Sequence, residues 1–449
     1  MATPASPASP TSPARATATR PVPELDADAV ADWRKSGGEL VELFALARDR
    51  LGGVAAVRTE PGARPAVLVT APDAVQHVLA RHPDRYVKRG HRARILIGDG
   101  VLAATGDAWQ RQRKLLQAQF TGPGMRRYED RITGAARTAA ARWAAHARTG
   151  EEFDLAEEMR RYALDTIWRS LTGHALDEAT ERELASVPAV LAAMPRLPAD
   201  GTAPDPAVAA DLARIDAVSA RAIAAARDGA AGPDGPGLLH VLLDAAGTRP
   251  EYTDRLVRDE LVTLLVAGHE TTAGTLTWLH LLLHRDPDAR DRTRAAGPAG
   301  SPERRQAVQA LVHETLRLYP SAWILPRHAT EDDVLPGGHA VEAGTDVITS
   351  PYLTHRDPEL WDRPEEFDPG RFTAPGRRPA HPGSYYPFGV GPRACLGLRF
   401  ALRESTALME HLLEAPAPTC TAVPERAAYS ITMRPEGPVR ATLPPRQER

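Results

Sequence analysis

The sequence predicts a mainly α-helical protein with smaller β-sheet regions, an α+β chain. Apolar residues recur with helical spacing over most of its length, in residues 107–120, 124–227, 254–284 and 304–318. Two short alternating segments flank Pro61 and Gly62, which is typical of a β-hairpin. There is no internal repeat, and no glycine-rich phosphate loop follows a strand. These absences argue against a doubly wound nucleotide-binding domain.

Charge and composition narrow the functional classes. The 449 residues carry 55 Lys and Arg against 58 Asp and Glu, a formal charge of -3. No overall positive field therefore favours nucleic acid or an anionic membrane. Two cysteines cannot form a disulfide framework, and no apolar run approaches the roughly 18 to 20 residues that span a bilayer. We expect a soluble, cytoplasmic protein that binds neither nucleic acid nor membrane.

The first third of the chain alternates helices, a hairpin and loops. We predict helices at residues 40–51 and 71–82, with the hairpin between them. A loop-rich segment over residues 88–106 carries Lys88, Arg89, His91, Arg92 and Arg94. A solvated loop is the plainer interpretation, and an entrance that attracts an acidic ligand is the alternative. In the next helix Trp109 and Arg113 are four residues apart and share a face.

A long helix is predicted over residues 254–284, which at 1.5 Å per residue reaches about 45 Å. Its centre, residues 261–266, is apolar on all sides and is followed by AGHETT at residues 267–272. Ala267 and Thr271 lie on one face, and Thr271 can bond back to the carbonyl of residue 267. This predicts a flat patch with a hydroxyl and a nearby acid, Glu270, that suits a planar cofactor. A buried helix with a satisfied glutamate is the alternative, and His269 is expected to be structural.

A shorter helix over residues 304–318 carries Glu314 and Arg317 three residues apart among apolar neighbours. Such a pair needs a third partner if it is buried, and Arg371 in the later segment FDPGRF can supply one. Pro320 ends the helix, and residues 321–325 are predicted to be extended.

The segment FGVGPRACLG, residues 388–397, holds Cys395 between Gly391 and Gly397. A helical pattern begins directly after it, at residues 398–413. A helix N-terminus stabilises an anion and lowers the pKa of a thiol, so we expect a thiolate here. Such a thiolate is either a metal ligand or a nucleophile, and the local sequence leaves both open.

Together these motifs resemble those of the cytochrome P450 family of haem-thiolate monooxygenases. FGVGPRACLG matches the family pattern Phe-x-x-Gly-x-Arg-x-Cys-x-Gly at every defined position. Glu314 and Arg317 match its E-x-x-R pair, AGHETT its oxygen-binding segment, and Trp109 with Arg113 its W-x-x-x-R. The resemblance covers roughly residues 51–443. Residues 1–23 are rich in Ala, Pro, Ser and Thr and are predicted to be a disordered tail. The resemblance implies a single haem-thiolate monooxygenase domain at residues 24–449.

The resemblance also implies site residues. In a P450-like fold, haem b (iron protoporphyrin IX) lies between the long central helix and the cysteine loop, with Cys395 as axial iron ligand. Thr271 and Glu270 would be catalytic, delivering protons for dioxygen activation. Glu314, Arg317 and Arg371 would form a structural network. The remaining cofactor-binding positions would be Trp109, Arg113, Ala267, Gly268, Arg327, Phe388, Gly389, Arg393 and Gly397.

The implied function is oxidation of a mainly apolar small molecule, by hydroxylation or otherwise, in bacterial secondary metabolism such as terpenoid or polyketide tailoring. Electrons would come from a ferredoxin and its ferredoxin reductase, docking a monomeric enzyme near Arg111, Lys114, Arg399 and Arg403. The substrate pocket would include Thr263, Ala267, Trp323, Ile324 and Thr432. The alternatives are a haem-thiolate peroxygenase or isomerase, and a non-catalytic haem-binding sensor.

Overall fold

The computed structural model describes residues 19–90, 92–194, 204–229, 231–424 and 426–444. The α-helices in these ranges are α1 (Ala27–Ser36), α2 (Leu40–Leu51), α3 (Pro72–Gln76), α4 (Arg94–Ile97), α5 (Gly106–Gln117), α6 (Pro123–Arg126), α7 (Glu129–Thr149), α8 (Leu155–Thr172), α9 (Glu178–Leu184), α10 (Val187–Ala193), α11 (Pro206–Arg227), α12 (Leu238–Thr248), α13 (Asp254–Arg285), α14 (Pro287–Ala295), α15 (Pro302–Leu318), α16 (Pro351–Thr354) and α17 (Leu398–Leu412). A π-helical turn, His77–Arg81, continues α3.

The strands are short and form four small sheets in the described ranges. They are β1 (Arg20–Pro21), β2 (Val54–Val57), β3 (Ala66–Val69), β4 (Tyr86–Val87), β5 (Phe153–Asp154), β6 (Leu325–Ala329), β7 (Asp333–Leu335), β8 (His339–Val341), β9 (Asp346–Thr349), β10 (Thr419–Ala422), β11 (Ala427–Tyr429), β12 (Met433–Pro435) and β13 (Arg440–Thr442). The largest sheet has the order β2-β3-β9-β6-β4, and the others are β1-β8-β7, β10-β13-β5 and β11-β12. The predicted class, mainly α with small sheets, is confirmed.

Several predicted elements are present at the predicted places. Strands β2 and β3 pair antiparallel around the Pro-Gly turn, with Val54 opposite Val69 and Val57 opposite Ala66. The predicted N-terminal tail needs a correction. Residues 1–18 lie outside the described residues, but β1 at Arg20 and Pro21 pairs in parallel with β8. The predicted boundary at residue 23 is therefore too late, because backbone hydrogen bonds already hold the chain before it.

Helix α13 runs through the centre of the largest hydrophobic cluster, packed along α8. Its N-cap is Thr253, whose hydroxyl accepts the N–H of Leu256. The helix ends at Arg285, two residues before Pro287. Residues 261–266 are buried on every side, as their uniformly apolar sequence predicts. None of the described helices combines the length and apolarity needed to cross a bilayer.

Helix α15 is tied to the chain that precedes the cysteine loop by a buried ion network. Arg317 Nε and Nη2 each lie 2.8 Å from a carboxylate oxygen of Glu314. Arg371 Nε lies 3.3 Å from Glu314 Oε1, which also accepts the N–H of Asp368 at 2.9 Å. Glu314, Arg317 and Arg371 are all buried. The structure thus brings together the three residues proposed as a network.

We predict that Glu314→Ala lowers the free energy of unfolding by about 3 to 5 kcal/mol, because two guanidinium groups stay buried without their carboxylate. Urea unfolding followed by circular dichroism measures the loss. Glu303→Ala, at an exposed position in the first turn of the same helix, is the matched control and should change stability by less than about 0.5 kcal/mol. Equal losses for the two variants would contradict a stabilising role of the network.

Candidate functional site

The cysteine loop has a backbone that only glycine permits at two points. Gly389 and Gly391 have φ of 70° and 79°, in the left-handed region. A Cβ at Gly391 would lie 2.2 Å from the carbonyl oxygen of Leu79. The N–H of Cys395 donates to the carbonyl of Phe388 at 2.8 Å and closes the loop. Helix α17 then begins directly after Gly397, its N-cap.

The sulfur of Cys395 lies at the predicted helix N-terminus, but its electrostatics differ from the prediction. Burial raises the pKa of the Cys395 thiol, although the N–H groups of Gly397 and Leu398 and the charge of Arg113 act in the opposite direction. The residue has accessible surface, yet protein atoms surround it at longer range. The expected lowering of the pKa is wrong because desolvation outweighs the helix terminus.

Four cations surround this loop and are partly buried, and the neighbouring protein atoms desolvate them: Lys88, Arg113, Arg327 and Arg393. Arg393 donates to the carbonyl of Ala104 at 2.8 Å, and its guanidinium carbon lies 4.1 Å from the centre of the Trp109 ring. Among the described residues, none of the four forms an ion pair with a carboxylate. Trp109, Arg113, Arg327 and Arg393 are thus brought together, as the resemblance implies.

Desolvation and mutual repulsion act on this cation cluster. Burial, with Arg327 and Arg393 nearby, lowers the pKa of Lys88 to about 7. Burial and the charge of Arg393 lower the pKa of Arg327 to about 10. Burial and the charge of Arg113 likewise lower the pKa of Arg393 to about 10. A buried group of like charges is unfavourable without anions, so this region favours a ligand with negative groups.

Lys88 was not among the predicted site residues. The sequence favoured a solvated loop, because local spacing gives no reason for Lys88 to point inward. Its position comes from long-range pairing: β4 pairs antiparallel with β6, Val87 lies opposite His328, and Lys88 therefore follows beside Arg327. The one feature that marks Lys88 in the sequence is that lysine is rare in this chain, since Lys88 is one of three lysines.

Helix α13 presents accessible surface at one central turn. Ala267 is exposed and Thr271 partly exposed, between stretches that are buried on all sides. Thr271 Oγ1 donates to the carbonyl of Ala267 at 3.0 Å, as the sequence predicted. Gly268 packs against α8, since a Cβ there would lie 2.7 Å from Cγ1 of Ile167. Its small size therefore serves helix packing, and its contact with a cofactor stays a prediction.

Glu270 lies beside His269 and not on the face of Thr271. Its Oε1 is 3.1 Å from His269 Nε2, and His269 is buried with Nδ1 2.7 Å from the carbonyl of Leu265. Burial raises the pKa of Glu270, but His269 and the charges of Arg160 and Arg434 outweigh it, and the net pKa is lowered. The carboxylate is therefore ionised near neutral pH.

A second buried acid joins α13 to the helix that follows the cysteine. Thr272 Oγ1 donates to Glu404 Oε1 at 2.6 Å, and Glu404 is buried on α17. Burial raises the pKa of Glu404 well above its ordinary value, which favours the neutral carboxyl. Sequence reasoning missed Glu404, because nothing local marks it as buried. Through this contact α13 is held to the helix that follows Cys395.

The predicted pocket residues divide into two groups. Ala267 has the accessible surface described above, and Ile324 and Thr432 are partly buried. Thr263 is buried, and a Cβ on Gly100 would lie 2.1 Å from its hydroxyl. Trp323 is buried among strand residues and donates Nε1–H to the carbonyl of Ser430 at 2.8 Å. Other protein segments cover Thr263 and Trp323, and their place in a substrate pocket stays a prediction.

The segment that covers Thr263 is fixed to α13 by four hydrogen bonds, one of which Thr263 Oγ1 donates to the carbonyl of Ile97 at 3.4 Å. Arg258 Nη1 donates to the carbonyl of Leu96 at 2.9 Å. Asp259 accepts the N–H of Asp99 at 2.9 Å, and Glu260 accepts the N–H of Val101 at 3.0 Å. Successive side chains of the central helix thus hold residues 96–101 in place.

Comparison with known proteins assigns the chain to a family. The family model described as cytochrome P450 matches residues 31–196 and 233–415. The chain belongs to the cytochrome P450 family. The heme domain of cytochrome P450DA has the same fold, with a TM-score of 0.81 at 24% identity, covering 96% of this chain and 99% of that one.

Two curated P450 relatives from Streptomyces melanosporofaciens align along most of the chain. Cyclooctatin synthase is 31% identical over 418 residues, 86% of this chain and 87% of the relative. Cyclooctat-9-en-7-ol 5-monooxygenase is 30% identical over 383 residues, 80% and 81% of the two chains. The chloroplastic P450s of Glycine max and Pisum sativum match at 39% identity, but over only 37% and 38% of their own length.

The residues of this P450 fit haem iron by the chemistry of their donors. No group of three or more His, Cys, Asp or Glu side chains gathers in the described ranges, so a bare metal ion would lack protein ligands there. Haem brings its own four nitrogens and needs one axial ligand, which Cys395 can supply. The carboxylates of haem suit the cation cluster of Lys88, Arg113, Arg327 and Arg393.

We predict a pH signature of Lys88 in the protein prepared without haem. The pKa of Lys88 is about 7 when folded against 10.5 in the unfolded chain, so the unfolded state binds more protons between these values. The contribution of Lys88 to the free energy of unfolding therefore rises with pH across this window. Urea unfolding at several pH values should show this rise in the wild type and a shallower one in Lys88→Met.

The matched control is Lys35→Met, since the Lys35 side chain is 77% exposed. Its stability curve should run parallel to that of the wild type. Parallel curves for wild type and Lys88→Met would contradict the buried position of Lys88.

Proposed function

We propose that this protein is a bacterial-type haem-thiolate monooxygenase that oxidises a mainly apolar small molecule, using dioxygen and electrons from a ferredoxin and its ferredoxin reductase. We further propose haem b as cofactor and a monomeric, cytoplasmic enzyme. The observation that carries the proposal is the group of unpaired interior cations around the Cys395 loop, which suits the two carboxylates of haem b.

Each residue contributes a specific part of this function. Haem, when bound, supplies the iron centre at which dioxygen is reduced. Cys395 would supply the thiolate ligand of the haem iron, and Phe388, whose carbonyl accepts the N–H of Cys395, packs against the main hydrophobic cluster. The N–H groups of Gly397 and Leu398 temper the charge on the sulfur. Lys88, with the three arginines of the cluster, neutralises the haem carboxylates.

Thr271 and Glu270 serve proton transfer on the other side of the site. The Thr271 hydroxyl already donates to Ala267, so its oxygen faces the site as a hydrogen-bond acceptor. Glu270 is ionised and can take up protons from water. Because Glu270 lies beside His269, Arg160 and Arg434 and not beside Thr271, ordered water must carry the proton between them.

The substrate class follows from the relatives and the exposed surfaces. Ala267 and Ile324 offer apolar surface near the site. One relative acts, by its name, on an unsaturated alcohol with a single hydroxyl, and is a monooxygenase. We propose that this protein oxidises a cyclic, mostly hydrocarbon compound of secondary metabolism, with terpenoids ahead of polyketides.

The first experiment is an absorbance spectrum of the reduced protein under carbon monoxide. The wild type should give the red-shifted Soret band of a thiolate-ligated haem, and Cys395→Ser should lose it because a serine oxygen replaces the sulfur ligand. Cys420→Ser, which removes the other free cysteine, is the matched control and should keep the band. If the wild type lacks the band, haem-thiolate chemistry is excluded.

Turnover then separates the remaining functions. With ferredoxin, reductase and a cyclic terpenoid alcohol as probe, a monooxygenase consumes reductant and dioxygen as the oxidised product forms. Product formed from peroxide alone would identify a peroxygenase, and product formed without any oxidant an isomerase. A haem sensor would form no product with any probe.

The ferredoxin is proposed to dock on the face formed by α5 and the start of α17. Arg111, Lys114 and Arg399 are exposed there. Arg403 contributes less, because it pairs with Glu129 at 2.7 Å. An acidic ferredoxin suits this surface, since opposite charges accelerate association.

We predict that Lys114→Glu slows reduction by ferredoxin by about 10-fold or more at low salt, because charge steering raises association rates by 10- to 1000-fold. Stopped-flow reduction measures the rate, and the deficit should shrink as ionic strength rises. Lys35→Glu, at an exposed position on α1, is the matched control, and this variant should be reduced at the wild-type rate. Rates independent of salt would refute this docking surface.

A further inference from the structure

The backbone carbonyl of Thr271 accepts two side-chain hydroxyls. Ser321 Oγ donates to it at 2.8 Å and Thr275 Oγ1 at 2.9 Å. The two hydroxyl oxygens are 3.1 Å apart, and both residues are buried. The acceptor belongs to the turn of α13 that has accessible surface at Ala267 and Thr271.

This arrangement is unusual for a carbonyl in the middle of a helix. Such a group already receives the N–H of the residue four positions later, and it has only two lone pairs. The bond from Thr275 is ordinary, because serine and threonine often bond back within their own helix. The bond from Ser321 comes from a residue 50 positions away in sequence and ties the turn to another part of the fold.

Ser321 is itself fixed from two sides. It follows α15, which ends at Leu318 and is anchored by the Glu314 network. Its carbonyl accepts the N–H of Met433 on β12 at 2.8 Å, and Met433 is completely buried. A Cβ at Gly274 would lie 3.5 Å from the carbonyl oxygen of Met433, so α13 packs closely on this strand. One serine therefore joins α13, α15 and the β11–β12 hairpin.

We infer that Ser321 is a positioning residue for Thr271: its hydroxyl holds the Thr271 peptide, and with it the side chain that reaches the site. The inference deepens the proposed function and rests on it, since it assigns Ser321 a part in placing the proton-transfer group. Because Ser321 is bound to β12 through its backbone carbonyl and to Thr271 and Thr275 through its hydroxyl, a shift of the β11–β12 hairpin would reach the Thr271 peptide through Ser321.

The first test needs no ligand. Hydrogen–deuterium exchange of the peptide covering residues 266–276 should accelerate by about 2- to 10-fold in Ser321→Ala, the range expected for loss of one net hydrogen bond. Thr277→Val is the matched control, since that buried hydroxyl donates only to Ala273 within α13, at 2.8 Å. It should leave exchange of the peptide unchanged.

The second test reads the position of Thr271 in the haem-loaded protein. The infrared stretching band of carbon monoxide on the reduced protein responds to the polar groups around it. Ser321→Ala should shift or broaden this band, whereas Thr277→Val should not. Thr275→Val should also leave it unchanged, because Ser321 still donates to Thr271 in that variant.

These outcomes decide the inference. Exchange and infrared bands of Ser321→Ala that match those of Thr277→Val would overturn it. Equal effects of Ser321→Ala and Thr275→Val would also overturn it, because bonding within α13 would then fix the turn. A wild type without the thiolate-type carbon monoxide band would refute the proposed function. The hydrogen–deuterium exchange comparison would still test whether the Ser321 hydroxyl holds the Thr271 peptide.

Discussion

Among the described residues, partly buried positive charge without acidic partners is the constraint on which this structure depends. Lys88, Arg113, Arg327 and Arg393 come from four separate segments and converge around the cysteine loop without carboxylate partners in the described ranges. Desolvated like charges oppose folding, so surrounding contacts must hold these side chains inward. The glycine-rich loop, the packing of Trp109 and the pairing of β4 with β6 provide those contacts. The fold is thus prepared for an anionic ligand before any ligand arrives.

In a second group of charged side chains, the positive and negative charges are paired with each other. The carboxylate of Glu314 accepts hydrogen bonds from Arg317, from Arg371 and from the N–H of Asp368. Both of its oxygens therefore have donors within the protein. This network therefore offers nothing to a ligand, and its side chains are buried more deeply than those of the cation cluster. The two groups differ in their partners. The charges of the Glu314 network are paired within the protein, as in a structural site, whereas the cation cluster has no carboxylate partner in the described ranges, as in a site for an anionic ligand.

Sequence reasoning succeeded where residues that act together are close in the chain. The spacing of Glu314 and Arg317, the back-bond of Thr271 and the glycines around Cys395 are all local features, and the structure contains each of them. Sequence reasoning failed where the residues in contact are far apart in the chain. Lys88 depends on strand pairing, and Glu404 on the approach of two helices.

The unpredicted contacts have the same physical origin. Spacing places Thr263 and Gly268 on the long helix, but it does not reveal which neighbour covers each residue. The pKa of Cys395 was misjudged because a helix terminus is visible in sequence whereas the depth of protein around the sulfur is not. The network partner Arg371 was predicted from chemistry, because a buried Glu–Arg pair needs a third partner and FDPGRF can supply one.

The hold of α13 on residues 96–101 limits how this enzyme could be redesigned. Side chains of α13 fix the backbone of that segment, and Gly98 and Gly100 press against Asp259 and Thr263 with no room for a Cβ. Insertions or exchanged loops at this point would break bonds to the central helix itself. A laboratory seeking altered selectivity would do better to vary outward side chains such as Leu102, which is 41% exposed, than to alter the length of the segment.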